Sequence, residues 1–229
     1  MTHKHSTPKK EKVKVSVQRK GHGFVFAGTP DQQRAVIEFM VRESVKLETP
    51  LLYIAAQTAL ELNMVVEAGF FFFAGQLRAA FDRQRFAFHP KDPRKIVHDT
   101  YRLSQLTSRL VSPKVTADFE IFKSVMNKLH RWPIAPLDDS FYPGEKYGPT
   151  KIPKDRWGEV IKAVSHKFTA YAIHHLRILH NPHGKAAYSF TLAYNSGMIP
   201  QTAENKHKFE QAQKYLKDHF HQHKTKNAA

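Results

Sequence analysis

The 229-residue chain has no cysteine, which excludes disulfide staples and thiolate chemistry and fits a reducing compartment. It also lacks a long apolar run. The most apolar stretch, Met64 to Leu77, contains Glu67 and Gln76 and is too short to cross a bilayer. No apolar segment follows the Lys-rich first residues, and residues 1–20 hold one arginine, so neither a secretory leader nor a mitochondrial presequence is expected. Phosphate loops, nucleophile elbows and dinucleotide fingerprints are missing; Gly144 to Lys151 fails as a phosphate loop because no lysine follows its second glycine. A cytoplasmic protein is the expectation, with peripheral attachment to a membrane-bound or ribonucleoprotein assembly left open.

Acidic residues are scarce: 20 Asp and Glu stand against 36 Lys and Arg, for a formal charge of +16. The surplus is uneven. Residues 1–21 carry +6 and residues 203–229 carry +3, leaving +7 for the 181 residues between. Much of the charge therefore sits at the ends, where it can attract nucleic acid or an anionic surface without specificity. The middle, with a hydrophobic content of 41% for the whole chain and 17 Phe, is long enough to bury a core. The organisation expected is a basic tail (1–21), a helical domain (22–202) and a C-terminal basic helix and tail (203–229).

Four capping side chains stand directly before prolines: Thr29-Pro30, Thr49-Pro50, Asp92-Pro93 and Ser112-Pro113. A cap oxygen accepts an orphan backbone N–H, and proline at the first helical position gives up a donor that had no partner. Gln32 completes a capping box with Thr29. These marks and the apolar periodicity predict an all-α domain of about seven helices, preceded by a short hairpin over residues 12–26. Helices are expected over residues 30–46 (Val36, Phe39 and Met40 inward), 50–63, 65–85, 93–111 and 113–131. The last of these carries a stripe at Val115, Phe119, Phe122, Met126 and Leu129. Further helices are expected over 153–180 (Trp157, Ile161, Val164, Phe168 and Tyr171 inward), 185–194 and 202–221, the last with a thin stripe at Phe209, Leu216 and Phe220. In the third helix Phe70 to Phe73 are consecutive and point around most of the circumference, which predicts a central helix enclosed by others.

Residues 52–81 resemble a tetratricopeptide-type helical hairpin. Ala56, the Asn63-Met64 turn, Ala68, Phe72 and Gly75 fall where that pattern places small and aromatic residues. Leu52 and Ala59 depart from it where large aromatics are usual, and Ala80 stands where proline closes the unit. The resemblance covers about thirty residues with no adjacent repeat. It implies a packing style and a protein-binding role.

Catalytic, metal and cofactor constellations are not expected. His98-Asp99 lacks the upstream His and distant Asp that helical HD-type phosphohydrolases need. Arg-x4–6-His spacings, as in HEPN-type ribonucleases, occur no more often than 12 Arg and 15 His produce by chance. His174, His175, His180 and His183 crowd one helix end, yet no Asp or Glu lies between Glu159 and Glu204, so a buried His175 with exposed neighbours is the reading. The better surface feature is a ridge: Lys95, Arg102 and Arg109 recur every seven residues beside Arg94, with Gln105 and Ser108 as polar neighbours. The second candidate is Trp132 to Ile152, a proline-broken strap with Phe141, Tyr142 and Tyr147. Arginine and aromatics dominate interface hot spots. The expected function is a non-enzymatic interaction module, an adaptor or accessory subunit of a larger assembly such as a secretion coupling complex or ribonucleoprotein particle. Its expected partners are other protein subunits. The alternative is weak, charge-driven nucleic-acid binding through the basic ends.

Overall fold

Helix α3 (Val65–Arg85) is the axis of the computed structural model, which describes residues 16–21, 23–86, 96–134 and 151–220. Four helices pack against α3: α2 (Thr49–Glu61), α4 (Ile96–Val115), α5 (Phe119–His130) and α6 (Trp157–His180). A hairpin, β1 (Val17–Lys20) and β2 (Gly23–Phe26), leads into α1 (Pro30–Glu43); α7 (Pro182–Asn195) and α8 (Ala203–Phe220) follow α6. Eight α-helices and one two-stranded antiparallel sheet make the described residues all-α.

The phenylalanine run is enclosed as its spacing requires, with Phe70 to Phe73 no more than 5% exposed. Small flanking residues allow this. A Cβ on Gly69 would meet Val125 Cγ2 at 2.7 Å and Val115 Cγ1 at 2.9 Å, so the α3 backbone touches α4 and α5 there. A Cβ on Gly75 would meet the Tyr53 ring of α2 at 2.8 Å. Ala56, Ala68 and Phe72 are buried beside it, making α2 and α3 the most extensively packed helix pair.

The helix-start marks divide. Thr29 makes the full capping box: its Oγ1 accepts from the Gln32 N–H at 3.3 Å, and its own N–H donates to Gln32 Oε1 at 2.9 Å. Thr49-Pro50 lies at a helix start, but Glu48 is the flanking residue and Thr49 is already helical; its hydroxyl donates to Asp82 Oδ2 at 3.5 Å instead. Ser112-Pro113 is a correction. Helix α4 runs through Pro113 to Val115, and α5 is capped by Asp118, whose Oδ1 accepts from the Ile121 N–H at 3.0 Å. Asp92-Pro93 lies outside the described residues. Asn181-Pro182 breaks α6 and also starts the next helix earlier than expected, Asn181 Oδ1 accepting from the Gly184 N–H at 2.9 Å.

Two expected inward residues face out. Phe39 is 45% exposed, its place on the inner face taken by Ile37, and Tyr171 is 41% exposed although its ring stacks on His175 at 5.8 Å. Val115 is buried as the last residue of α4, not on α5.

The hairpin is anchored through its outer edge. Phe24 N–H donates to Gln57 Oε1 at 2.7 Å and Phe26 N–H to Thr58 Oγ1 at 3.0 Å, so α2 satisfies the strand edge that would otherwise lie open. Gln57 Nε2 then donates to Thr107 Oγ1 at 2.6 Å, joining hairpin, α2 and α4 in one chain of bonds. At the other end of α3, Arg78 and Arg85 are fully buried near the carboxylate of Asp82, which is paired with Arg85. Burial raises the Asp82 pKa against the pull of Arg85 and Arg78, and burial prevails. The Arg85 guanidinium lies 4.1 Å from the Phe81 ring centre and 4.5 Å from that of Trp157, which spreads its charge over aromatic faces.

Candidate functional site

The outer face of α4 presents the ridge. Arg102 and Arg109 are exposed and take part in no ion pair among the described residues. Tyr101 (55% exposed) and Gln105 flank the ridge on one side and Leu110 (36% exposed) on the other, and Tyr101 Oη accepts from Gln105 Nε2 at 2.7 Å. Leu110 lies against the hairpin, within 3.4 Å of where a Gly23 Cβ would stand, and Phe24 beside it is 41% exposed. Arg102 and Arg109 thus come with an aromatic and aliphatic surround that heptad counting of basic residues does not show. Arg94, Lys95, Phe141, Tyr142 and Tyr147 lie outside the described residues.

Both ends of the strap are fixed. Trp132 and Ile134 are buried where it leaves α5. At its return, Lys151 N–H donates to the Arg85 carbonyl at 2.7 Å, and Trp157 Nε1 donates to the Ile152 carbonyl at 3.1 Å. Residues 135–150 lie outside the described residues.

His175 is a core residue, 2% exposed, its Nε2–H donating to the Thr116 carbonyl at 2.8 Å. Burial pushes its pKa below the ordinary imidazole value, the bond to Thr116 and the neighbouring His174 acting less strongly. His180 and His183 are exposed, and among the described residues no group of three or more His, Asp or Glu is placed to hold a metal.

A second basic surface joins residues that sequence reading kept apart. The C-terminal ends of α1 and α5 meet over α3 around a cleft of about 710 Å³. Arg42, Lys128, His130 and Arg131 line it, with Trp132 and Phe70 behind them. Trp132 Nε1 donates to Ser44 Oγ at 3.0 Å, tying the two helix ends together, and Phe70 meets the indole edge-on at 6.3 Å. Lys128 is held 2.6 Å from Glu67, while Arg42 and Arg131 are exposed and take part in no ion pair among the described residues. The signal was weak, because cations in the last turn of a helix are ordinary complements to its dipole.

No family model, curated protein or solved structure matches the chain.

Proposed function

We propose that the chain is a non-enzymatic interaction module, an adaptor or accessory subunit of a larger assembly, and that it engages an acidic protein surface through the outer face of α4. One observation carries this reading: Tyr101, Arg102, Arg109 and Leu110 stand exposed together on a helix whose opposite side is locked into the core by Thr107, Val111 and Val115. Tyrosine and arginine are the residues that supply most interface energy, and a rigid helix presents them without an ordering cost. The charge of the chain favours an acidic partner.

The test places a photo-crosslinking residue at Gln105 and, as control, at Lys162 on α6. A partner labelled from position 105, not from 162, and lost with Arg102→Glu/Arg109→Glu supports the reading. These are surface changes, expected to cost within about 0.5 kcal/mol each. Labelling that survives both substitutions refutes it. The charge of the two ends favours a second reading, salt-sensitive binding to nucleic acid. Nuclease-sensitive recovery that disappears when residues 1–20 and 203–229 are removed would favour it over the first.

A further inference from the structure

The basic cleft between α1 and α5 shares no residue with the α4 face, and what it binds is a separate question. We propose that it is a site for a small phosphate-bearing molecule, with Arg42 and Arg131 as the phosphate-holding groups. The argument starts from charge. Three permanent cations, Arg42, Lys128 and Arg131, line the cleft, and Glu67 answers Lys128. Glu43, the acid next to Arg42 in sequence, is paired with Lys46. The two helix C-termini contribute about half a negative charge each, which still leaves a positive surplus before His130 is counted.

Geometry selects among anions. A guanidinium is a planar fork that grips two oxygens, and a single carboxylate satisfies one such fork. A tetrahedral phosphate presents oxygens on several sides and can bridge two forks from opposite walls. The end of α1, which carries Arg42, and the residues just past α5, which include Arg131, are tied together by the Trp132–Ser44 bond, so the two arginines are mounted on a braced frame. The volume, about 710 Å³, lies within the roughly 300–1,000 Å³ of small-molecule sites. A phosphate group fills little of it, and Val41, Val45 and Trp132 give the remaining space an apolar wall for an organic group.

Thermal melting of the full chain with inorganic pyrophosphate tests this, against citrate and sodium chloride at matched ionic strength. Pyrophosphate is expected to raise the melting temperature saturably, by about 5–11 °C at a hundredfold excess over its Kd. The variant Arg42→Lys/Arg131→Lys keeps both positive charges at the helix ends, so its own melting temperature is expected to match the wild type within about 1 °C. It loses the forks, and its pyrophosphate affinity is expected to fall at least tenfold. An absent rise, an equal rise with citrate or chloride, or a rise undiminished in the lysine variant overturns the proposal. Sedimentation with phosphatidylcholine vesicles carrying a phosphoinositide then identifies the source. Co-sedimentation that the lysine variant abolishes assigns a lipid-borne phosphate, and a pyrophosphate response without co-sedimentation assigns a free one; either supports the site.

Discussion

Replacing Gly69 by alanine tests the central feature of the fold, the closing of side chains from α4 and α5 directly onto the α3 backbone. Alanine is the better helix former by about 1 kcal/mol, so on an open helix the change stabilises. Here the new methyl would lie 2.7 Å from Val125 Cγ2 and 2.9 and 3.0 Å from the two Val115 methyls. Ordinary carbon contact is about 3.5–4.0 Å, so α4 and α5 must retreat by roughly 1 Å. Both valines are β-branched, stiff at χ1 and fully buried, and neither can turn aside. Overpacking of this kind costs about 1–3 kcal/mol. The upper half of that range applies, and after the propensity gain a net loss of about 1–2 kcal/mol remains, a fall of roughly 2–8 °C in melting temperature. Gly158, near the start of α6 with nothing within 4 Å of its would-be Cβ, is the control: Gly158→Ala should gain up to about 1 kcal/mol. Urea denaturation followed by circular dichroism reads both. Adding Val125→Ala to Gly69→Ala makes room for the methyl, and the double variant should exceed the sum of the singles by about 1 kcal/mol. A Gly69→Ala protein more stable than the wild type would refute the three-helix contact.

Three further outcomes follow from the same packing. His175 is held neutral, so below the ordinary imidazole value of about 6.5 the unfolded chain takes up a proton that the folded one does not, and stability falls with pH by up to about 1.4 kcal/mol per unit until the lowered folded value is passed. His175→Gln keeps an N–H for the Thr116 carbonyl and should lose that slope, read from urea midpoints above and below pH 6.5. Asp82→Asn removes the carboxylate that pairs with the fully buried Arg85 and should cost about 1–3 kcal/mol, visible as a fall in melting temperature; an unchanged melt would refute a stabilising role for the pair. Thr29→Ala removes a capping box and should cost about 1 kcal/mol by denaturant midpoint.

What was legible in the sequence was what is written locally. The Thr29 box, the enclosure of Phe70 to Phe73 and the Asn63 turn, where φ is 58°, each depend on residues within a few positions of one another. Ser112-Pro113 misled for a physical reason. A proline in the last turn of a helix gives up one N–H, and α4 continues only two residues past it, so the helix loses little. The chain then needs a real cap, and Asp118 supplies it. Phe39 misled because the inner face of α1 already had Ile37, fully buried, and Met40 on it.

The two basic surfaces differ in legibility for the same reason. Arg102 and Arg109 lie on one helix seven residues apart, so helical geometry alone sets them on one side, and nothing in the tertiary fold had to be known. The cleft is non-local: its frame includes a bond between side chains 88 residues apart, Trp132 to Ser44, and each of its cations alone reads as a helix-end complement. The hairpin beside the ridge was equally hidden, since the strand that brings Gly23 against Leu110 is bonded to Gln57, which in turn bonds to Thr107 on α4. That chain of bonds makes the surface rigid. The Gln57 amide accepts from the strand and donates to the helix, so no shift of the hairpin leaves both bonds intact, and the α4 face is presented as one body with the core. Gln57→Leu separates rigidity from chemistry. It leaves Arg102, Arg109 and the Phe26–Thr58 bond in place but releases the Gly23–Phe24 end of the hairpin, and by stranding the Phe24 N–H it should cost about 1–3 kcal/mol. If the α4 face recognises its partner through the arginines alone, crosslinking from position 105 survives; if the hairpin edge is part of the surface, crosslinking falls together with hydrogen-exchange protection of residues 23–26.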